Sequence, residues 1–376
     1  MGKYVQLSRC YFDDKDISDI LSNGTFNLRV LLQIARNRGV FISHNEARDN
    51  VISYMSRWGY SWDEVLAISS RINSDDRDER ESPCRIEGVD QIEHVERVLN
   101  EIKDDRGPRL NEVYSIHKRG DSIFEARITY IEFDPSKQKA FQRREITSKI
   151  ELEKVGDRID VRYHQNDRCK EIANQIREKL QNLTQKQLKT TAIELTGVRD
   201  PAKRTAFFLS LKNKLTNFRH IDVIDLKVAN RFPDLNQEQA GKADEDATKE
   251  ETEEEAEIKS MVKHAALTGQ GLLTSELYRK LQETGYFLTN MSWSARETIG
   301  EARLVEFLAG FGKPVEATDF FYDVRKVFPR DDPEDKKRTQ GELLATERPR
   351  LRRLLELAAY ESLAELQAAD DGTEEK

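Results

Sequence analysis

An α+β, multi-domain protein is predicted: a helical N-terminal module, then two antiparallel-meander-plus-helix modules joined by an acidic tether. Three observations carry this. Apolar residues recur at helical spacing between capping signals near the start. The apolar period drops to two over 111–163 and again after 286. Two stretches poor in apolar residues, 73–88 and 235–257, interrupt the pattern. At 376 residues the chain exceeds one typical domain. Its 37% hydrophobic and 35% charged residues make it polar, but sufficient for several small cores.

The helical module is assigned to 1–72. A first helix over 27–38 places Leu28, Leu31, Leu32 and Ala35 on one stripe, with Gly39 at the C′ position and Arg36 and Arg38 in the last turn. An extended Val40-Phe41-Ile42 follows. Ser43-His44-Asn45-Glu46 reads as a capping box that starts a second helix, with Val51, Ile52 and Met55 inward. Ser61-Trp62-Asp63-Glu64 is a second box, opening a helix that turns Val65, Leu66 and Ile68 inward.

Residues 73–88 read as a charged linker, and 89–234 as an α+β domain. A helix over 89–103 ends at Arg106-Gly107-Pro108. Strands are expected at 111–117, 122–133, 141–154 and 158–163, punctuated by Asp134-Pro135-Ser136-Lys137 and Val155-Gly156-Asp157. A helix over 166–181 covers this meander through Ile172, Ile176 and Leu180. A strand–helix–strand unit spans 190–229, with Asp200 as N-cap and Pro201 at the first helical position.

The acidic tether, 235–257, precedes a second α+β domain over 258–368. That domain should hold helices near 258–267 and 273–283. Strands near 286–293, 302–309 and 319–328 and a closing helix over 343–367 complete it. Residues 369–376 read as a disordered tail. Residues 236–257 carry ten acids and two lysines, a local net of −8 that equals the net charge of the whole chain. Residues 186–231 carry ten Lys/Arg against four Asp/Glu. The chain is therefore a neutral-to-basic body with an acidic strip, read as a self-repelling spacer.

Residues 27–57 resemble the SAP family of DNA-binding motifs, a helix, an extended stretch and a second helix. The match rests on Leu28, Leu31-Leu32, Gly39-Val40, Ile42-Ser43, Arg48 and Val51-Ile52. The family usually has Gly and Lys early in the second helix, where this chain has His44, Asn45 and Glu46. The resemblance implies contact with duplex DNA through the second helix and the turn before it. Independently, a helix N-terminus beside several arginines favours phosphate. Arg36, Arg38, Arg48, Lys203 and Arg204 are the expected nucleic-acid contacts.

No apolar run is long enough to span a membrane, no secretory h-region is visible near the start, and Leu7 stands where a myristoylation signal wants Ser or Thr. Cys10, Cys84 and Cys169 are few and far apart, which suits a cytoplasmic protein and offers no metal motif. Phosphate-loop, dinucleotide, zinc and serine-elbow motifs are missing, so no catalytic residue, cofactor or metal is expected. Glu101-Ile-Lys103 and Glu257-Ile-Lys259 echo part of a nuclease pattern without its strand. The expected function is a non-enzymatic, nucleic-acid-associated accessory protein, with DNA as the partner. The alternative is a protein-interaction scaffold or self-associating subunit using meander edges such as 319–328.

Overall fold

A computed structural model describes residues 12–61, 63–65, 67–68, 80–89, 91–135, 142–230, 264–269, 271–300, 302–328 and 347–374. It contains both helices and a large antiparallel sheet. The helices are α1 (Asp14–Ser22), α2 (Leu28–Asn37), α3 (Arg48–Ser56), α4 (Glu93–Leu110), α5 (Asp167–Thr184), α6 (Pro201–Asn213), α7 (Glu276–Glu283) and α8 (Glu347–Glu374). The strands are β1 (Glu81–Glu87), β2 (Val113–Arg119), β3 (Ile123–Phe133), β4 (Arg143–Val155), β5 (Arg158–His164), β6 (Lys189–Ala192), β7 (Phe218–Ala229), β8 (His264–Thr268), β9 (Phe287–Glu297), β10 (Leu304–Lys313) and β11 (Thr318–Phe328).

The chain divides into two compact units. One takes residues 1–79, 97–117 and 125–149; the other takes 80–96, 118–124 and 150–376. The first unit opens with a small helical core of Ile17, Ile20, Leu21, Phe26, Leu31, Ala35, Val51, Ile52, Met55, Val65 and Ile68. The helix α1, not anticipated from the sequence, is started by a reciprocal box in which Asp13 and Asp16 each accept the other's backbone N–H. Gly39, at φ 78°, ends α2. Its N–H donates to the Arg36 carbonyl and that of Val40 to Ala35, both satisfying last-turn acceptors. The expected box at Ser61 forms, with the Ser61 N–H on the Glu64 carboxylate at 2.8 Å and the Glu64 N–H on Ser61 Oγ at 3.3 Å.

The box expected at Ser43 does not form. Residues 44–46 make a turn, and the Glu46 side chain accepts from Asn50 Nδ2 at 2.7 Å instead of reaching back to Ser43. The helix therefore starts later, at Arg48. The helix expected over 89–103 spans Glu93–Leu110, with Pro108 inside it. Its end is held by Glu112, whose N–H donates to the Gly107 carbonyl and whose carboxylate takes two bonds from buried Arg106.

In the second unit the strands are ordered β4-β5-β1-β11-β10-β9-β7-β8, with β6 also on β1, and the pairings described are antiparallel. The helix α5 turns Cys169, Ile172, Ile176 and Leu180 inward against β5. Both α6 and β11 pack against α8, over a core that includes Phe207, Phe208, Trp293, Phe307, Phe311 and Leu355. Asp200 caps α6 by accepting from Ala202 at 2.9 Å, and Pro201 follows it, as the residue pattern indicated.

Several expectations are corrected here. Part of the supposed linker, 81–87, is β1, paired with β5 along its length. Its charged residues are neutralised inside the fold: Glu81 by Arg352 at 2.7 Å and Arg85 by Asp160 at 3.4 Å. Residues 264–268, read as the end of a helix, form β8, because they complete a hairpin with β7. Residues flanking the acidic stretch share one unit, and Ala229 pairs directly with His264. The acidic tether expected over 235–257 itself lies outside the described residues. Finally, 319–328 is no edge: β11 pairs with β10 on one side and meets β1 at Glu81 on the other. At the C-terminus, α8 continues to Glu374, through most of the tail read as disordered.

Candidate nucleic-acid interface

The segment joining α2 to α3 is the part of the helical module that the SAP-like pattern singles out. It leaves the Gly39 turn, exposes Phe41 (83% accessible), turns at 44–46 and enters α3 through Ala47. Ala47 has extended backbone (φ −66°, ψ 138°) and offers no side-chain acceptor. The first N–H groups of α3 therefore have no side-chain cap, which leaves their partial positive charge facing outward. Two acids lie close in sequence, Glu46 and Asp49, and the latter sits in the first turn.

The predicted arginines have different fates. Arg36 is exposed on the last turn of α2 and has no ion pair among the described residues. Arg38 is turned inward. Its Nε donates to Glu64 at 2.8 Å, its Nη2 to the Gly59 carbonyl at 2.9 Å, and its guanidinium lies 4.4 Å from the Tyr60 ring centroid and 5.5 Å from that of Trp58. The hydrogen bond from Arg38, reinforced by the Ser61 N–H, holds the Glu64 carboxyl down at about 2. Burial pushes the Tyr60 phenol up to about 12, against the pull of Arg38, so the ring is a neutral platform for the cation.

Arg48 closes a helix end. Its Nε donates to the Phe26 carbonyl at 3.0 Å, and its Nη2 donates to those of Ser22 at 2.9 Å, Asn23 at 3.1 Å and Leu21 at 3.3 Å. The helix α1 has no basic residue in its own last turn. Arg48 supplies that charge from elsewhere in the chain, where a helix C-terminus favours it.

Lys203 and Arg204 lie in the other unit, on α6. Lys203 is half-exposed and lines a groove between α6 and α8. Arg204 is only 1% exposed, and the expectation that it meets a ligand is corrected. Its three nitrogens donate to the carbonyls of Val198 at 2.8 Å, Val315 at 2.7 Å and Leu195 at 3.3 Å, over the Phe287 ring. A basic residue early in a helix sits where the dipole disfavours it. Here the compensation comes from carbonyls inside the fold.

A further basic segment, 137–149, is described only in part. Lys137, Lys139 and the Arg143 side chain lie outside the described residues, and Lys149 pairs with Glu125 at 3.5 Å. Of the tryptophans, Trp58 packs against the helical core and Trp293 is fully buried; neither is a platform for bases. Residue reading missed the bareness of Ala47 and the exposure of Phe41. The signal for the first was present: Ala is a poor N-cap, and three residues after it stands Asn50, not Glu or Gln.

Comparison with known protein families, and separately with curated proteins, finds no match. Among the described residues, no helix is long and apolar enough to cross a membrane.

Proposed function

We propose that the chain is a non-enzymatic, nucleic-acid-associated accessory protein of the cytoplasm, and that its helical module contacts duplex DNA through phosphate. The observation that carries this is the uncapped start of α3 behind a connection that exposes Phe41. Arg36, exposed and without an ion pair among the described residues, adds a positive charge to the same hairpin. Arg38 and Arg48 act as supports for that hairpin. With Glu46 and Asp49 opposing the phosphate, the contact is weak, non-specific in sequence and steeply salt-dependent.

A salt-titrated mobility shift with duplex, single-stranded and RNA probes tests this reading. Duplex binding should weaken with salt, weaken again in Arg36→Ala and Phe41→Ala, and strengthen in Glu46→Lys. Duplex retention indifferent to all three changes removes the helical module from the interaction.

A second reading, as a protein-interaction or self-associating subunit, has its own observation. Val113 on β2 and Ile131 and Phe133 on β3 are exposed at 67%, 41% and 57%. Solution mass rising with concentration, and falling back in Phe133→Ser, favours that reading.

A further inference from the structure

The second unit holds a cavity of 130 Å³ bounded by β1, β5, β6, α5 and the start of β11. That is room for roughly four waters at about 30 Å³ each, or for one small polyatomic ion. Its charged lining is unevenly satisfied. The Lys170 ammonium is taken by Asp319 in an ion pair. Arg177, half-buried seven residues further along α5, has no ion pair among the described residues. Thr190 Oγ1 is buried without a hydrogen-bond partner. A buried hydroxyl left without a partner is unfavourable, which argues for a polar occupant.

The groups around that space are mostly donors. Arg177 offers a guanidinium fork, Thr190 and Tyr163 offer hydroxyls, and Asn174 offers an amide. Burial pushes the Cys84 thiol up to about 11, so this wall is neutral rather than anionic at ordinary pH. Glu194 is the one carboxylate of the lining not engaged by Lys170, and it is exposed. A donor-rich pocket with one uncommitted guanidinium is complementary to a ligand that only accepts hydrogen bonds.

We propose that this cavity is a binding site for a small oxyanion, a carboxylate or an inorganic phosphate, held by Arg177 and completed by the hydroxyls of Thr190 and Tyr163. It stands independently of the nucleic-acid reading.

The test uses the full chain. Thermal unfolding and titration calorimetry are run with sodium phosphate and with sodium acetate, each against sodium chloride at matched ionic strength. A rise in melting temperature with phosphate alone assigns a tetrahedral anion; a rise with acetate, alone or with phosphate, assigns a carboxylate. Arg177→Gln and Thr190→Val, the latter removing only the hydroxyl, should each weaken binding about tenfold. Amide chemical-shift changes on adding the anion should cluster on β1, β6 and α5, which checks the location even if a variant folds poorly. The proposal is overturned if neither anion exceeds chloride, if both variants respond like the parent, or if the shifts cluster elsewhere.

Discussion

Arg38–Glu64 and Arg162–Glu356 are the same pair of residue types in opposite surroundings. In the helical module the pair is partly solvated, and hydrogen bonding holds Glu64 below the usual carboxylate range. Beneath α8 the pair is buried. Desolvation raises Glu356 despite Arg162, and Tyr322 also donates to the carboxylate at 3.1 Å. Arg162 is shared further, with Glu153 at 2.7 Å and Glu151 at 3.2 Å, and Arg353 meets both of those acids. The difference shows that one residue type does two jobs in this chain. In the small module single arginines tie loops and helix ends together. In the sheet unit Arg162 and Arg353 belong to a network that is worth having only while it is complete.

The sharpest way to break this contrast is Arg162→Met. It strands Glu356 in the interior and should cost about 3–5 kcal/mol in chemical unfolding. The double change Arg162→Met with Glu356→Leu should cost less than that single change, since no charge is left buried and alone. Next is Arg204→Ala, expected to cost about 3 kcal/mol because the carbonyls of Val198 and Val315 lose this donor and that of Leu195 keeps only the Val198 N–H. Arg48→Ala should cost about 1–2 kcal/mol, read in the helical module, by releasing the end of α1.

Smaller effects sharpen the solvated side. Because Glu64 is held down in the folded state, its contribution is present above its ordinary value of 4.5 and fades as pH falls through about 2. Acid melting should therefore show a loss, of roughly 1 kcal/mol or less for so exposed a pair, that Glu64→Gln removes. Arg36→Ala should leave stability within about 0.5 kcal/mol. In the mobility shift it should lower the salt slope on duplex DNA by about one.

Much of the fold could be read from local pattern, and the reasons it failed elsewhere are physical. Gly39 and Ser61–Glu64 were legible because their hydrogen bonds join residues close in sequence. So were the strands of the meander, where Phe124, Ala126, Ile128 and Tyr130 are buried at every second position. The strand β1 was hidden because its charges are cancelled by residues far along the chain: Glu81 by Arg352, Arg85 by Asp160. The arginine contacts were opaque for the same reason. Periodicity tells which side of a helix a residue occupies, but not that Arg48 reaches carbonyls at 21–23 or that Arg204 reaches Val315. Charge in a sequence is a count of opportunities, and tertiary structure decides which remain open.

The rung at Ala229 and His264 has a practical consequence. Whatever is spliced between those two positions begins and finishes at neighbouring points, so a guest with adjacent ends, such as a fluorescent reporter, fits without parting the strands. A nick made there leaves the fragments clasped through β7 and β9, which makes the spot suitable for a split-protein assay on the intact chain.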